Sequence, residues 1–254
     1  MRQLQSCSAS STAAITFADE QRVGAKVVFE RAKRLTAANP PLAPEALAAA
    51  DRSLNLIGKG LAAGSSRWGI PWVFGVLDSP DVALISGGGG AIFVSRGALS
   101  LADDEAQVAA LLAIGVARVD LRQGAVHQFA RRQMLCLGGA GQQIGIDAKP
   151  DEARAEVTID GKKVELDGYD QWEDHEAAQH AAALLTFTGY DVVDGAKVFE
   201  RIPASTDSSL QAGRLAASLL AADRFDGAAP ALPPELAAVR LSAAAPPGTA
   251  APAR

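Results

Sequence analysis

Between Ala106 and Val119 only Gln107 and Arg118 are polar. No other stretch of this chain limits its fold so strongly. A helix that is apolar all round has no face to give to water, so other elements must enclose it. Asp103, Asp104 and Glu105 precede the run and put negative charge where a helix N-terminus is positive. The reading is a central buried helix that starts near Asp103, with a pattern continuing to about Leu137, before "GGAG". Two residues inside it need a reason. Gly115 weakens a helix interior, and a buried Arg118 needs a partner.

The surroundings of that helix read as further helices and a small sheet, an α+β fold that is mainly helical. Apolar residues recur at helical spacing over 17–35, and "NPPLAP" at 39–44 breaks the chain before a second helix at about 44–62. A short strand is expected within "PWVFGVLDSP", 71–80, and strand, glycine run and strand within "VALISGGGGAIFVSRGAL", 82–99. "AEVTIDGKKVEL" at 155–166 alternates on either side of Asp160-Gly161 and predicts a hairpin. A helix then runs to Gly189 as its C-cap, followed by helices near 192–202 and 207–223. The organisation expected is a flexible segment over 1–16, one domain over 17–226 with the 155–166 hairpin as an insertion, and an Ala/Pro-rich disordered tail over 227–254.

Of the 254 residues, 48% are hydrophobic but only 5% aromatic, so the core must rest on small side chains and close helix approach. The net charge of −5 points to neither nucleic acid nor an acidic membrane surface as a partner, and "ARRQ" at 130–133 reads as a solvated helix face. Cys7 and Cys136 are too far apart for a metal motif or a disulfide framework. Cys136 lies in the apolar run "QMLCLGG" and reads as a small core residue. "LQSC" at 4–7 weakly resembles a bacterial lipid-attachment box, although "MRQ" leaves no room for a secretory signal before it. Lipidation at Cys7, with a periplasmic or membrane-anchored location, follows only if Met1 is not the native start.

"SGGGGA" invites comparison with a phosphate cradle. Such a loop opens a helix, whereas this one leads into "AIFVS", a strand, with no Lys-Ser/Thr behind it. A tight turn or a close approach of backbones fits better.

The order of elements carries more. "DSPDVALISGGGGAIFVSRGAL", an acidic linker and a buried helix together resemble the HtpX, Oma and CAAX-prenyl-protease group of zinc metallopeptidases. Gly89 and Gly90 match that family's paired glycines. Ile92, Phe93 and Val94 match its strand, and Arg96, Gly97 and Leu99 match its turn. "HEAAQHAAALLTFTGYDVVDGAKVFERI" at 175–202 is similar to its Glu-Ala-Asp helix and Ala-Gly-Tyr-Asp, and "ITFADEQRVGAKV" to its opening helix. The resemblance covers about residues 15–222 and implies a zincin-like fold, with a small sheet beside a former active-site helix.

The same resemblance implies a zinc site on that helix, held by H-E-x-x-H and a later glutamate. In this chain the first histidine falls on Ile114, the general base on Gly115 and the second histidine on Arg118. Glu176 matches the third ligand, Ala178 replaces the aspartate two residues on, and Ala83, Leu84 and Ile85 take the place of the substrate-side Asn-Ala-Phe. Ile114 has no lone pair, Gly115 no base, and Arg118 is a permanent cation. One carboxylate cannot hold a catalytic zinc. No cofactor is therefore expected, and no catalytic residue. Arg118 either pairs with Glu176, replacing the metal, or reaches water along the helix rim.

His175, Glu176 and His180 lie close together and His127 apart, too scattered a set to close another metal site. No G-x-S-x-G appears, and Cys136 has no basic neighbour closer than Arg132. The leading expectation is an inactive metallopeptidase-like protein with a peptide-binding or regulatory role. Its partner segment would add to an edge formed by Gly89, Gly90, Ile92, Phe93 and Val94. The alternatives are a metalloendopeptidase with a non-standard metal site and a lipoprotein scaffold.

Overall fold

The computed structural model describes residues 16–67, 69–123, 156–159, 162–165, 171–203, 212–221 and 232–244. Helix α1 (Phe17–Ala32) and helix α2 (Pro44–Ala63) come first, followed by strands β1 (Val73–Leu77), β2 (Leu84–Gly87) and β3 (Ala91–Ser95). A single turn, α3 (Arg96–Leu99), leads to the long helix α4 (Glu105–Asp120). The expected hairpin follows as β4 (Glu156–Ile159) and β5 (Lys162–Glu165), paired antiparallel with Ile159 opposite Lys162. The remaining helices are α5 (Gln171–Thr188), α6 (Val192–Glu200), α7 (Ala212–Leu220) and α8 (Pro234–Ala244). The fold is α+β and mainly helical, with a small mixed sheet.

Helix α4 is enclosed as its composition requires: every residue from Ala106 to Asp120 is buried. It packs against α2, α5 and α6 and against one face of the β1–β3 sheet. Asp104 caps it by accepting from the Gln107 N–H at 2.9 Å, which satisfies one of the N-terminal donors, and the Gln107 side chain reaches back to accept from the Asp103 N–H at 3.0 Å. Small residues permit the crowding. A Cβ on Gly195 of α6 would come within 3.0 Å of the Ala110 Cβ, so the alanines stand in for larger side chains by letting helix backbones approach. The helix stops at Asp120, short of the Leu137 its composition suggests. Leu121 closes it and Arg122 turns into the left-handed region at φ 60°. The rest of that expectation lies outside the described residues, as do Cys7, His127 and Cys136.

The sheet order is β1-β3-β2, with β1 parallel and β2 antiparallel to β3. Here the structure corrects the sequence reading. The strand containing Ile92, Phe93 and Val94 is the central one, hydrogen-bonded on both sides, because β1 returns parallel on the side that β2 leaves open. Gly89 and Gly90 form the β2–β3 turn with φ of +83° and +98°, and the Gly90 carbonyl accepts from the Val73 N–H at 2.9 Å. None of the five residues offers an edge to another chain.

The outer side of β1 is closed as well. Its Phe74 N–H donates to the Asn55 Oδ1 of α2 at 3.2 Å, the Asn55 amide donates back to the Phe74 carbonyl, and the Val76 N–H donates to the Asp51 Oδ1 at 2.7 Å. Side chains of α2 thus take the place of a neighbouring strand, which blocks edge pairing. Asn55→Ala strands a buried N–H and C=O, and denaturant titration is expected to show a loss of about 1–3 kcal/mol.

A second correction concerns the tail. Pro234–Ala244, expected within a disordered segment, is a helix. Pro234 occupies its first position, where a missing N–H costs nothing. Leu236 and Val239, three residues apart, are buried as α8 packs against α2 and α3.

Candidate functional site

The charged groups of the core gather where α4 ends. Arg118 lies there, 1% exposed, with its Nη2 3.0 Å from the Oδ1 of Asp174 on α5, which is 0% exposed. It neither reaches water along the rim nor meets Glu176, whose side chain is exposed. The expected Arg118–Glu176 pair is therefore wrong in its acid. The reason is helical phase. Asp174, Ala177, Ala178, Ala181 and Leu185 are buried at spacings of three and four, so they share one stripe of α5. Glu176, two residues past Asp174, projects from the other side.

Ile114 lies one turn before Arg118 on the same face of α4 and is fully buried. Gly115 beside it is a packing necessity: a Cβ there would lie 2.8 Å from the Cγ2 of Ile92 on β3. The group implied by the family resemblance does not fit these residues. A hydrocarbon, a glycine pressed against isoleucine and a guanidinium bound to a carboxylate supply one anionic oxygen donor, and that donor is already neutralised. Among the described residues no group of three His, Cys, Asp or Glu side chains is arranged to hold a metal ion. His175, Glu176 and His180 diverge. His175 faces Ser218 of α7 at 3.2 Å and Gln179 at 2.9 Å, while His180 turns to Asp120.

Asp120, the last residue of α4, is the centre of a second cluster. Its carboxylate accepts from His180 Nε2 at 2.7 Å, Ser65 Oγ at 2.6 Å, the Ser66 N–H at 3.0 Å and Ser66 Oγ at 3.1 Å. Burial works to raise the pKa of this carboxyl. Hydrogen bonds from His180, Ser65 and Ser66 outweigh it and hold the group at about 2. An Asp, a His and two serines together suggest nucleophilic catalysis, but both hydroxyls donate to the carboxylate and neither to the imidazole. Among the described residues no imidazole is placed to activate either serine. The cluster instead ties α5 and the 65–66 turn to the end of α4.

Its effect on stability follows from the sign of the shift. A carboxyl with a folded pKa below its unfolded value stabilises fully above the unfolded value, near 3.8. That contribution, on the order of 2 kcal/mol, fades as pH falls from about 4 toward about 2. Asp120→Asn is expected to flatten this part of the stability–pH curve, measured by urea titration between pH 2 and 6.

A third group completes the end of α4. Glu20 of α1 is buried, with Arg67 2.6 Å from one carboxylate oxygen and Arg122 on the other. Arg67 also donates to the Val119 carbonyl at 2.8 Å, satisfying a C-terminal acceptor of the helix. Among the described residues each of these arginines thus meets a carboxylate: Arg67 and Arg122 share Glu20, and Arg118 faces Asp174. Sequence reasoning missed Glu20, Arg67, Asp120 and Asp174. The phase of the α5 alanines identifies Asp174, whereas nothing local links Asp120 to His180, sixty positions on.

No protein-family model matches the chain, and no curated protein matches it.

The segments that carry the family resemblance have structural work to do. Asp78 of the Asp-Ser-Pro turn lies 3.0 Å from the Arg96 guanidinium and accepts from the Leu42 N–H at 2.7 Å. The Gly97 N–H donates to the Ser79 carbonyl at 2.9 Å, and a Cβ on Gly97 would lie 2.1 Å from the Pro80 oxygen. Arg96 and Gly97 therefore dock the turn against the sheet. Gly189, with φ +82°, ends α5. Asp191 caps α6 by accepting from the Val193 and Asp194 N–H groups. Tyr190 donates to Glu105 at the start of α4, and burial together with that carboxylate pushes its phenol above the ordinary range.

Proposed function

We propose that this chain is a degenerate relative of the HtpX, Oma and CAAX-prenyl-protease group. On this reading it keeps a zincin-like scaffold, has lost hydrolysis, and acts by binding a protein segment or regulating an active relative. One observation carries the reading: the position matching the second zinc histidine is a buried arginine, and an acid on the crossing helix, Asp174, neutralises it. On this reading the ion pair takes over the role of the metal in holding the two helices together. Two further features support it. The order of elements, a small mixed sheet, a docked Asp-Ser-Pro/Arg-Gly turn and a buried helix crossed by an acid-bearing helix, is the order the resemblance implies. At Gly115, the position matched to the general base, the Ile92 side chain takes the space a side chain would need.

The test is hydrolysis of labelled casein by the purified full chain, with and without added zinc and with a chelator. The expected result is no cleavage above buffer in any condition and a melting temperature unmoved by the chelator. Cleavage that zinc supports and the chelator abolishes would overturn the proposal in favour of a metalloendopeptidase with a different ligand set.

A further inference from the structure

We infer that α1 is a detachable strap, latched by the carboxylate of Glu20, which opens while the rest of the fold stays closed. The first ground is what α1 lacks. The main hydrophobic cluster draws on α2, on all three strands of the sheet and on α3 to α8, yet among the described residues none comes from Phe17–Ala32. Phe17 and Phe29 of α1 are exposed instead. An element held by few apolar contacts belongs to the low-stability end of a structure.

The second ground is how α1 is held. Glu20 enters between Arg67 and Arg122, whose side chains are 18% and 42% exposed while its own is 1% exposed. Beside that latch the backbones lie one on the other, with Val28 against Gly87 and Gln21 against Gly89. Cβ atoms on Gly24 and Gly88 would lie 1.9 Å from the Gly88 oxygen and 2.7 Å from the Glu20 oxygen. The helix lies against the glycine turn as a rod in a groove, and the carboxylate fixes its position along it.

The third ground is what α1 covers. It packs along β2, an end strand of the sheet. Gly87 of β2 faces Val28 and the Gly24 backbone. Ile85 shares that face by strand alternation; it is buried yet stands outside the main cluster. Opening the strap bares Ile85, a wall of glycine backbone and two guanidiniums.

The inference stands apart from the lost-hydrolysis reading: a chain that cleaved casein would leave the strap untouched. Hydrogen exchange read by mass spectrometry on the full chain tests it, comparing the native sequence with Glu20→Gln and with Gly24→Ala, which leaves the charges intact but cannot seat the helix. In both variants peptides covering 17–32 and 84–87 are expected to exchange at least about tenfold faster, with α4 unchanged. Equal acceleration of α4, or no acceleration of α1 in either variant, would overturn the inference, because α1 would then open only with the whole domain or be held by something other than the latch.

Discussion

Arg118→Ala and Asp174→Ala are each expected to cost on the order of 3–5 kcal/mol. The two side chains are 1% and 0% exposed and 3.0 Å apart, so removing either leaves a buried charge without that counter-ion. Against a domain stability of about 5–15 kcal/mol that loss is large, and reduced soluble yield should accompany it. The pair itself is a different matter. Desolvating two charges offsets most of their attraction. Replacing both at once with hydrocarbon, as in Arg118→Leu with Asp174→Leu, is therefore expected to restore most of the stability lost by either alanine variant. The midpoint of urea unfolding, with the slope unchanged, reads the cycle. Single variants costing less than about 1 kcal/mol would show that the pair is solvated, and the account of the site would fail with it.

Gly115→Glu, which puts back a carboxylate where the family resemblance places the general base, is expected to destabilise the protein by more than about 4 kcal/mol. Two costs combine. The new Cβ meets the Ile92 Cγ2 at 2.8 Å, and the carboxylate enters a buried, apolar stretch of the helix. Gly115→Ala isolates the first cost and should lose about 1–3 kcal/mol. Coupling identifies the cause: Gly115→Ala in an Ile92→Ala background should cost clearly less than in the native one, because the obstructing methyl is gone. Independent, additive losses would mean that Gly115 is required by something other than the strand beneath it.

Much of this fold is legible in the chain because it follows from local patterns. The burial of α4 is dictated by the run from Ala106 to Val119, where a helix has no polar face to expose. The hairpin around residues 160–161 and the C-cap at Gly189 follow from turn chemistry. The site was read less well. Gly115 and Arg118 stand out in the sequence, since a mid-helix glycine and a buried arginine are conspicuous. The partner acid was misassigned because matching Glu176 to a motif overrode the phase of α5, in which Asp174 shares a stripe with Ala178, Ala181 and Leu185. The sheet order escaped because strand pairing is non-local: nothing in "VFGVL" says that it lies parallel to "AIFVS" and displaces it from the edge. The clusters around Asp120 and Glu20 join residues 45 to 60 positions or more apart, and no local period reports such contacts. In the tail, Ala/Pro content obscured a short apolar pair, Leu236 and Val239, sufficient to seat a helix on the core.

The central claim is that the end of α4 is closed by ion pairs and cannot coordinate zinc. Metal analysis by mass spectrometry of the full chain, purified without chelator and dialysed against zinc-containing buffer and then metal-free buffer, tests it most directly. The account predicts well under about 0.1 zinc per chain, the same for the native protein and for Asp174→Asn. About one tightly held zinc per chain that disappears in Asp174→Asn would contradict it.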